Sequence, residues 1–169
     1  MPTYVCYLPS GAYDTSQKAR IAKAISRRHS EATGAPPYFV QVQIEESKMD
    51  EFLGGQLTHT HIWVRGDIRA GRTPDQRTSL MLNIMQDISE ITDLNEDNIW
   101  VYLCNLAPTD MVEYGHVLPA PGEEEQWFAN LPPRLREYLK SLGLLEKTLL
   151  FSHFMSALLS GRIRRVRLS

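Results

Sequence analysis

The spacing of apolar residues changes period several times over the first hundred positions. Thr3 to Leu8 is a β-branched and aromatic run stopped by Pro9-Ser10-Gly11, which predicts a strand followed by a turn. Ile21, Ile25, His29 and Ala32 then recur at helical spacing, with Asp14 and Thr15 as caps before them and Gly34 after them. A helix up to about Ala32 is expected. Tyr38 to Ile44 alternates as a second strand. The same order then returns: His61 to Val64 reads as a strand, and Thr73-Pro74-Asp75-Gln76 supplies an N-cap, a proline at the first helical position and a capping-box glutamine. Leu80, Ile84, Ile88 and Ile91 form the apolar stripe of a second helix, and Ile99 to Leu103 a fourth strand.

Two β-α-β units of similar length predict an α/β fold: an internally duplicated sandwich with a four-stranded sheet and both helices on one face. The other face needs a cover. With two long helices available, that cover is expected from other subunits, so the chain should be a homo-oligomer. Beyond Pro119 the pattern changes. Glu123-Glu124-Glu125, Trp127-Phe128 and Leu131-Pro132-Pro133 lead into an amphipathic Arg134 to Leu145, an extension that packs locally. The expected division is a domain over 2–145 and a basic and apolar tail over 146–169.

Composition adds limits. At 169 residues, 43% hydrophobic and 22% charged, the chain buries enough surface to fold without a disulfide or metal staple. Cys6 and Cys104 are too few for a disulfide framework or a cysteine zinc site. No signal-peptide pattern and no apolar run near the length of a membrane span is present, so a soluble, cytoplasmic protein is expected. The net charge of -2 is uneven: Arg162, Arg164, Arg165 and Arg167 lie after Lys147, where there is no Asp or Glu, leaving 14 basic against 20 acidic residues, a balance of -6, in residues 1–147. An acidic body argues against nucleic acid as a partner.

Several residues have a chemical reading beside a structural one. Pro2 after the initiator methionine would, once Met1 is removed, present a secondary amine that titrates nearer neutrality than lysine. It also suits the first position of a strand. Arg69 and Arg72, just before the second helix, can hold a carboxylate in bidentate fashion, or stand as a solvated loop pair. Tyr102 and Glu113 can activate a water, or cap the core and the surface respectively. His29 lies on an apolar stripe, where a satisfied core histidine is the ordinary case. His59 and His61 flank Thr60 so that both imidazoles share one side, but no third ligand is near, and a metal is not expected.

Each residue singly is accounted for by structure, but the set as a whole matches a family. Pro2, His29, Arg69, Arg72, Tyr102 and Glu113, with the strings Ile99-Trp100-Val101-Tyr102 and Met111-Val112-Glu113-Tyr114-Gly115, resemble the cis-3-chloroacrylic acid dehalogenase family of the tautomerase superfamily. The resemblance runs from Pro2 to about Leu139 and includes Phe52-Leu53-Gly54-Gly55 and Trp127-Phe128. It implies a trimer of β-α-β-β-α-β subunits that acts on a small-molecule carboxylate without metal or organic cofactor. By the same resemblance Pro2 is the acid that protonates the α-carbon. Arg69 and Arg72 bind and polarise the carboxylate with the help of His29, and Glu113, with Tyr102 beside it, activates water.

Such a set suits addition of water to an unsaturated carboxylate, because charge building towards the carboxylate is stabilised while a nearby acid protonates carbon. With a halogen on the β-carbon, the adduct collapses to an aldehyde and halide. With a neutral amine the same residues suit keto-enol tautomerisation of a 2-oxo acid. The chain departs from the dehalogenase pattern in a shorter Gln56–Thr60 segment and in His116, where arginine is expected. A third reading is a non-enzymatic trimeric interaction protein, whose tail places Leu149-Leu150-Phe151 and Phe154-Met155 beside four arginines to meet an acidic partner or membrane surface.

Overall fold

Both long helices start where the sequence marks them. Asp14 accepts the Gln17 N–H at 2.7 Å while the Gln17 side chain accepts the Asp14 N–H at 3.1 Å, and Thr73 and Gln76 repeat the exchange at 3.2 and 2.9 Å. The computed structural model describes residues 2–48, 50–58, 61–120 and 122–142, Tyr38 by its backbone alone. The chain divides into two compact units, Met1–Glu124 and Glu125–Ser169.

In the first unit, β1 (Thr3–Pro9) leads through α1 (Thr15–Thr33) to β2 (Gln41–Ser47), and a hairpin of β3 (Glu51–Leu53) and β4 (Gln56–Thr58) follows. The plan repeats in β5 (Ile62–Arg69), α2 (Pro74–Thr92) and β6 (Ile99–Leu106), with a second hairpin of β7 (Val112–Glu113) and β8 (His116–Val117). The sheet order is β2-β1-β5-β6. Its outer pairs are parallel and its central pair antiparallel, as two fused β-α-β units require.

The strand period of two sorts the sheet into faces. Tyr4, Cys6 and Leu8 of β1 and Ile62, Val64 and Ile68 of β5 are buried with Ile21 and Ile25 of α1 and Leu80, Ile84 and Ile88 of α2 in one cluster. The expected duplicated α/β sandwich, helices on one side, is therefore the observed fold. The two helices are also joined through Asp87 of α2, which is buried and accepts from Arg28 Nε and Nη2 at 2.8 and 2.7 Å and from Arg27 Nη2 at 2.8 Å. On the opposite face Tyr7 stacks on Trp63 with ring centroids 5.0 Å apart, and Tyr102 meets Trp63 edge-on at 5.7 Å.

Boundaries differ from expectation in three strands. Pro37–Phe39 forms a single 3-10 turn, closed by Val40 N–H on the Pro37 carbonyl at 2.9 Å, so β2 begins at Gln41 and not at Tyr38. Proline at the first position starts such a turn readily. β5 continues past Val64 through the polar Arg65-Gly66-Asp67 to Arg69, because both of its edges are paired. β6 likewise extends to Leu106 against β5.

In the second unit, α3 (Glu124–Asn130) starts at the junction and is followed by a helix over 133–142. Leu131 and Leu139 are buried, and Arg136 Nη1 donates to the Ala129 carbonyl at 3.2 Å. The expected helix from Arg134 to Leu145 is thus described as far as residue 142. The tail expected over 146–169 lies outside the described residues. Among the described residues no helix is long and apolar enough to cross a membrane.

Candidate active site

Pro2 is buried at the head of β1, at the centre of the sheet, and its carbonyl accepts the Gln41 N–H at 3.0 Å. Strand alternation puts Pro2 on the same face as Tyr4. The antiparallel register Thr3↔Asp67 sets it level with Ile68, one residue before Arg69 at the end of β5. Pro2 is therefore folded into the structure beside the segment that leads into both arginines.

His29 lies one turn before the end of α1, on the stripe of Ile21 and Ile25, and is 3% exposed. Its Nδ1 stands 2.8 Å from the Tyr4 hydroxyl, and the two rings meet edge to face at 5.7 Å. Burial, with the charge of Arg72 as a second cause, pushes the His29 pKa down to about 4. Burial also raises the Tyr4 phenol well above its ordinary value, against a smaller opposing effect of Arg72. At neutral pH the pair is therefore uncharged.

The two arginines are in different states. Arg69 Nη1 donates to the Pro119 carbonyl at 3.0 Å, and Nη2 pairs with Glu124, whose second oxygen accepts the Gly122 N–H at 2.7 Å. Arg72 follows Gly71 and precedes the N-cap of α2. Its carbonyl accepts from Arg77 Nη1 at 2.6 Å, but among the described residues its guanidinium has no hydrogen bond or ion pair. Partial burial, and then the charge of Arg69, lower its pKa. A half-buried cation of this kind, at a helix N-terminus and within electrostatic reach of a neutral tyrosine and histidine, has the chemistry to hold an anion.

Glu113 sits outside the main sheet on β7, half-buried, with His116 as its cross-strand partner. The end of that hairpin runs back to the arginines, since Leu118 N–H bonds the Met111 carbonyl and Pro119 receives Arg69. Tyr102 is 52% exposed and in register with Arg65, on the sheet face opposite Tyr4. Within one subunit the structure thus puts His29 and Arg72 within electrostatic reach of each other, with Arg69 near Arg72 and Pro2 on the β1 face that carries Tyr4, and leaves Tyr102 on the far face. His61 Nδ1 lies 3.1 Å from Thr58 Oγ1, and His59 is outside the described residues. Among the described residues no cluster of three metal-type ligands occurs.

Tyr4, Gly66 and Glu124 also belong to this region, and the sequence does not mark them as site residues. Alternation with Cys6 and Leu8 signals that Tyr4 points into the core, but nothing in the spacing pairs it with a histidine 25 residues later. Glu124 is hidden in a run of three glutamates.

Residues 1–130 match the family model described as "Putative oxalocrotonate tautomerase enzyme". The structure of N1, a member of the cis-3-chloroacrylic acid dehalogenase family, is similar at 35% sequence identity and a TM-score of 0.77, over 82% of this chain and 99% of that one. A fused 4-OT solved as an asymmetric trimer, F6, is similar at 26% identity and a TM-score of 0.64, over 68% and 94%. Macrophage migration inhibitory factor of Toxoplasma gondii shares the fold at 14% identity and a TM-score of 0.60, over 69% and 99%. No curated protein matches the chain.

Proposed function

The chain belongs to the cis-3-chloroacrylic acid dehalogenase family of the tautomerase superfamily and is an enzyme of that superfamily; from this we propose that Pro2 is the acid in a cofactor-independent hydration of a small unsaturated carboxylate, with loss of halide from a cis-3-haloacrylate-like substrate. The observation that carries the reading is the half-buried Arg72, whose guanidinium has no hydrogen bond or ion pair among the described residues, beside the buried Tyr4–His29 pair at the head of β1, which Pro2 precedes. Arg72 takes the substrate carboxylate, with Arg69, its charge offset by Glu124, beside it and His29 giving a neutral hydrogen bond. Negative charge moving from the double bond towards the carboxylate in the transition state is thereby stabilised.

Protonated Pro2 delivers its proton to the α-carbon. Glu113 takes a proton from the water whose oxygen bonds to the β-carbon. The adduct then carries hydroxyl and halogen on one carbon; the carbon–halogen bond breaks, the hydroxyl proton leaves, and an aldehyde and halide remain. Tyr102 faces away from Pro2 in its own subunit, so it assists Glu113 across a subunit boundary. A homotrimer, the state of the fused 4-OT relative, provides that boundary and covers the aromatic sheet face. A cytoplasmic location fits the free thiols of Cys6 and Cys104.

Keto-enol tautomerisation is the second reading, and one observation favours it. His116, where the dehalogenase pattern has arginine, is the direct cross-strand neighbour of Glu113, so the departure from the family falls beside the residue that hydration alone requires. The deciding experiment follows chloride release from cis-3-chloroacrylate beside ultraviolet loss of a phenylenolpyruvate-type enol, after mass spectrometry has established removal of Met1. Pro2→Ala and Arg72→Ala should lose turnover of both substrates, and Glu113→Gln should lose hydration far more than tautomerisation. Retained Met1, or full activity in the Pro2 or Arg72 variant, refutes the assignment.

A further inference from the structure

We propose that Tyr4 is a positioning residue: its hydroxyl donates to His29 Nδ1 and so holds the imidazole as the Nε2–H tautomer, which offers a neutral N–H to the carboxylate bound by Arg72. This deepens the proposed function and rests on its placing of the carboxylate at Arg72.

Two arrangements of the Tyr4–His29 bond are conceivable, and the hydrogen-bond inventory decides between them. If Nδ1–H donated to the phenol oxygen, the phenol would have to place its own proton elsewhere. Tyr4 is fully buried, and among the described residues its hydroxyl has no hydrogen-bond partner except His29. That arrangement would strand an O–H in apolar surroundings, at a cost comparable to a lost hydrogen bond. With Tyr4 as donor nothing is stranded on its side, and the imidazole proton moves to Nε2, on the other flank of the ring.

The seat of the phenol is itself prepared. Tyr4 is the cross-strand partner of Gly66, and a Cβ at Gly66 would fall 2.8 Å from Leu103 Cδ2 and closer still to the Tyr4 ring. The missing side chain lets the ring lie flat on β5 with its hydroxyl at α1. A fixed tautomer matters because an imidazole free to exchange its proton between nitrogens would present an acceptor lone pair to the carboxylate part of the time, and two acceptors repel. Both groups stay uncharged, so neither adds charge to that of Arg72, which holds the anion.

The test is nitrogen NMR of the full-length protein with labelled histidine, together with kinetics. In the wild type, His29 should show an unprotonated, hydrogen-bonded Nδ1 and a protonated Nε2. Tyr4→Phe, which keeps the ring and removes the hydroxyl, should give a mixture of tautomers and lose about five- to tenfold in kcat/KM, the worth of one ordinary hydrogen bond. In a His29→Ala background the Tyr4→Phe change should add less than about twofold, since it acts through His29. A wild-type Nδ1–H tautomer overturns the proposal before any variant is made. An unchanged tautomer in Tyr4→Phe, or an equal loss in the His29→Ala background, overturns it as well. The NMR result needs no turnover: it decides the hold of Tyr4 on His29 even if neither carboxylate is consumed, an outcome that would sink the proposed function alone.

Discussion

Gly66 lies against the ring of Tyr4: a Cβ built on it would stand 2.8 Å from Tyr4 Cδ1 and 2.8 Å from Leu103 Cδ2. Glycine inside a strand ordinarily costs stability, so alanine at a roomy site would be a gain of ~0.5–1 kcal/mol. Here the added methyl has to displace two packed side chains, and overpacking of that kind costs ~1–3 kcal/mol. Gly66→Ala should therefore lower the urea midpoint and, by pushing Tyr4 off His29, reduce kcat/KM. A raised midpoint would show that the ring yields freely.

Asp87 holds α1 to α2 through a forked contact with Arg28 and a third bond from Arg27. Burial alone would raise its carboxyl, but the bonds and charges of Arg28 and Arg27 outweigh that and hold the pKa below the usual carboxylate range. Asp87→Ala strands Arg28 against the helix pair. Because both arginines keep some access to water, the loss should fall somewhat below the 3–5 kcal/mol typical of a broken buried pair, at about 2 kcal/mol. Chemical denaturation of the variant reads it directly, and a change below about 0.5 kcal/mol would mean that solvent screens the contact.

Much of the fold was legible because its signals are local. The Asp14 and Thr73 caps, the Ile21–Ile25–His29 and Leu80–Ile84–Ile88 stripes and the alternation of β1 each fall within a few residues, and the observed helices begin where those signals stand. The features misread depend on distant partners. β5 runs on through Gly66 because β1 and β6 pair with it on both sides, and that glycine reads locally as a strand end. In the site, the chemistry of Pro2, His29, Arg69, Arg72, Tyr102 and Glu113 is readable singly, but their joint roles rest on resemblance to a family. The Tyr4–His29 bond and the Arg69–Glu124 pair link residues 25 and 55 positions apart, which no window along the chain contains.

The Glu124 carboxylate occupies Arg69, so half of the arginine pair is already neutralised before any anion arrives. Glu124→Gln removes that negative charge while keeping an acceptor near Arg69. Net positive charge at the site rises, and attraction for a carboxylate substrate should lower KM several-fold, an effect that shrinks as salt is added. A raised KM would instead give Glu124 the task of holding Arg69 in place.

His29 should make stability depend on pH over a definite window. An unfolded histidine titrates near 6.5. In the fold, burial and then the charge of Arg72 push His29 down to about 4. Between those values the unfolded chain binds a proton that the native site refuses, so lowering the pH favours unfolding. The stabilising contribution is complete above about pH 6.5, falls away as the pH drops, and is gone below about 4, with a total of about 3 kcal/mol. Tyr4 and Arg72, the groups against the ring, do not change charge in this interval, whereas the exposed carboxylates begin to do so at its lower end. His29→Gln keeps a polar side chain that cannot ionise. Subtracting its urea stability from that of the wild type at each pH therefore isolates the histidine: the difference should be flat above pH 7 and decline steadily from 6.5 towards 4. Parallel curves for the two proteins would mean that water reaches the imidazole, and that Tyr4 and His29 do not form the dry neutral pair on which the proposed anion site depends.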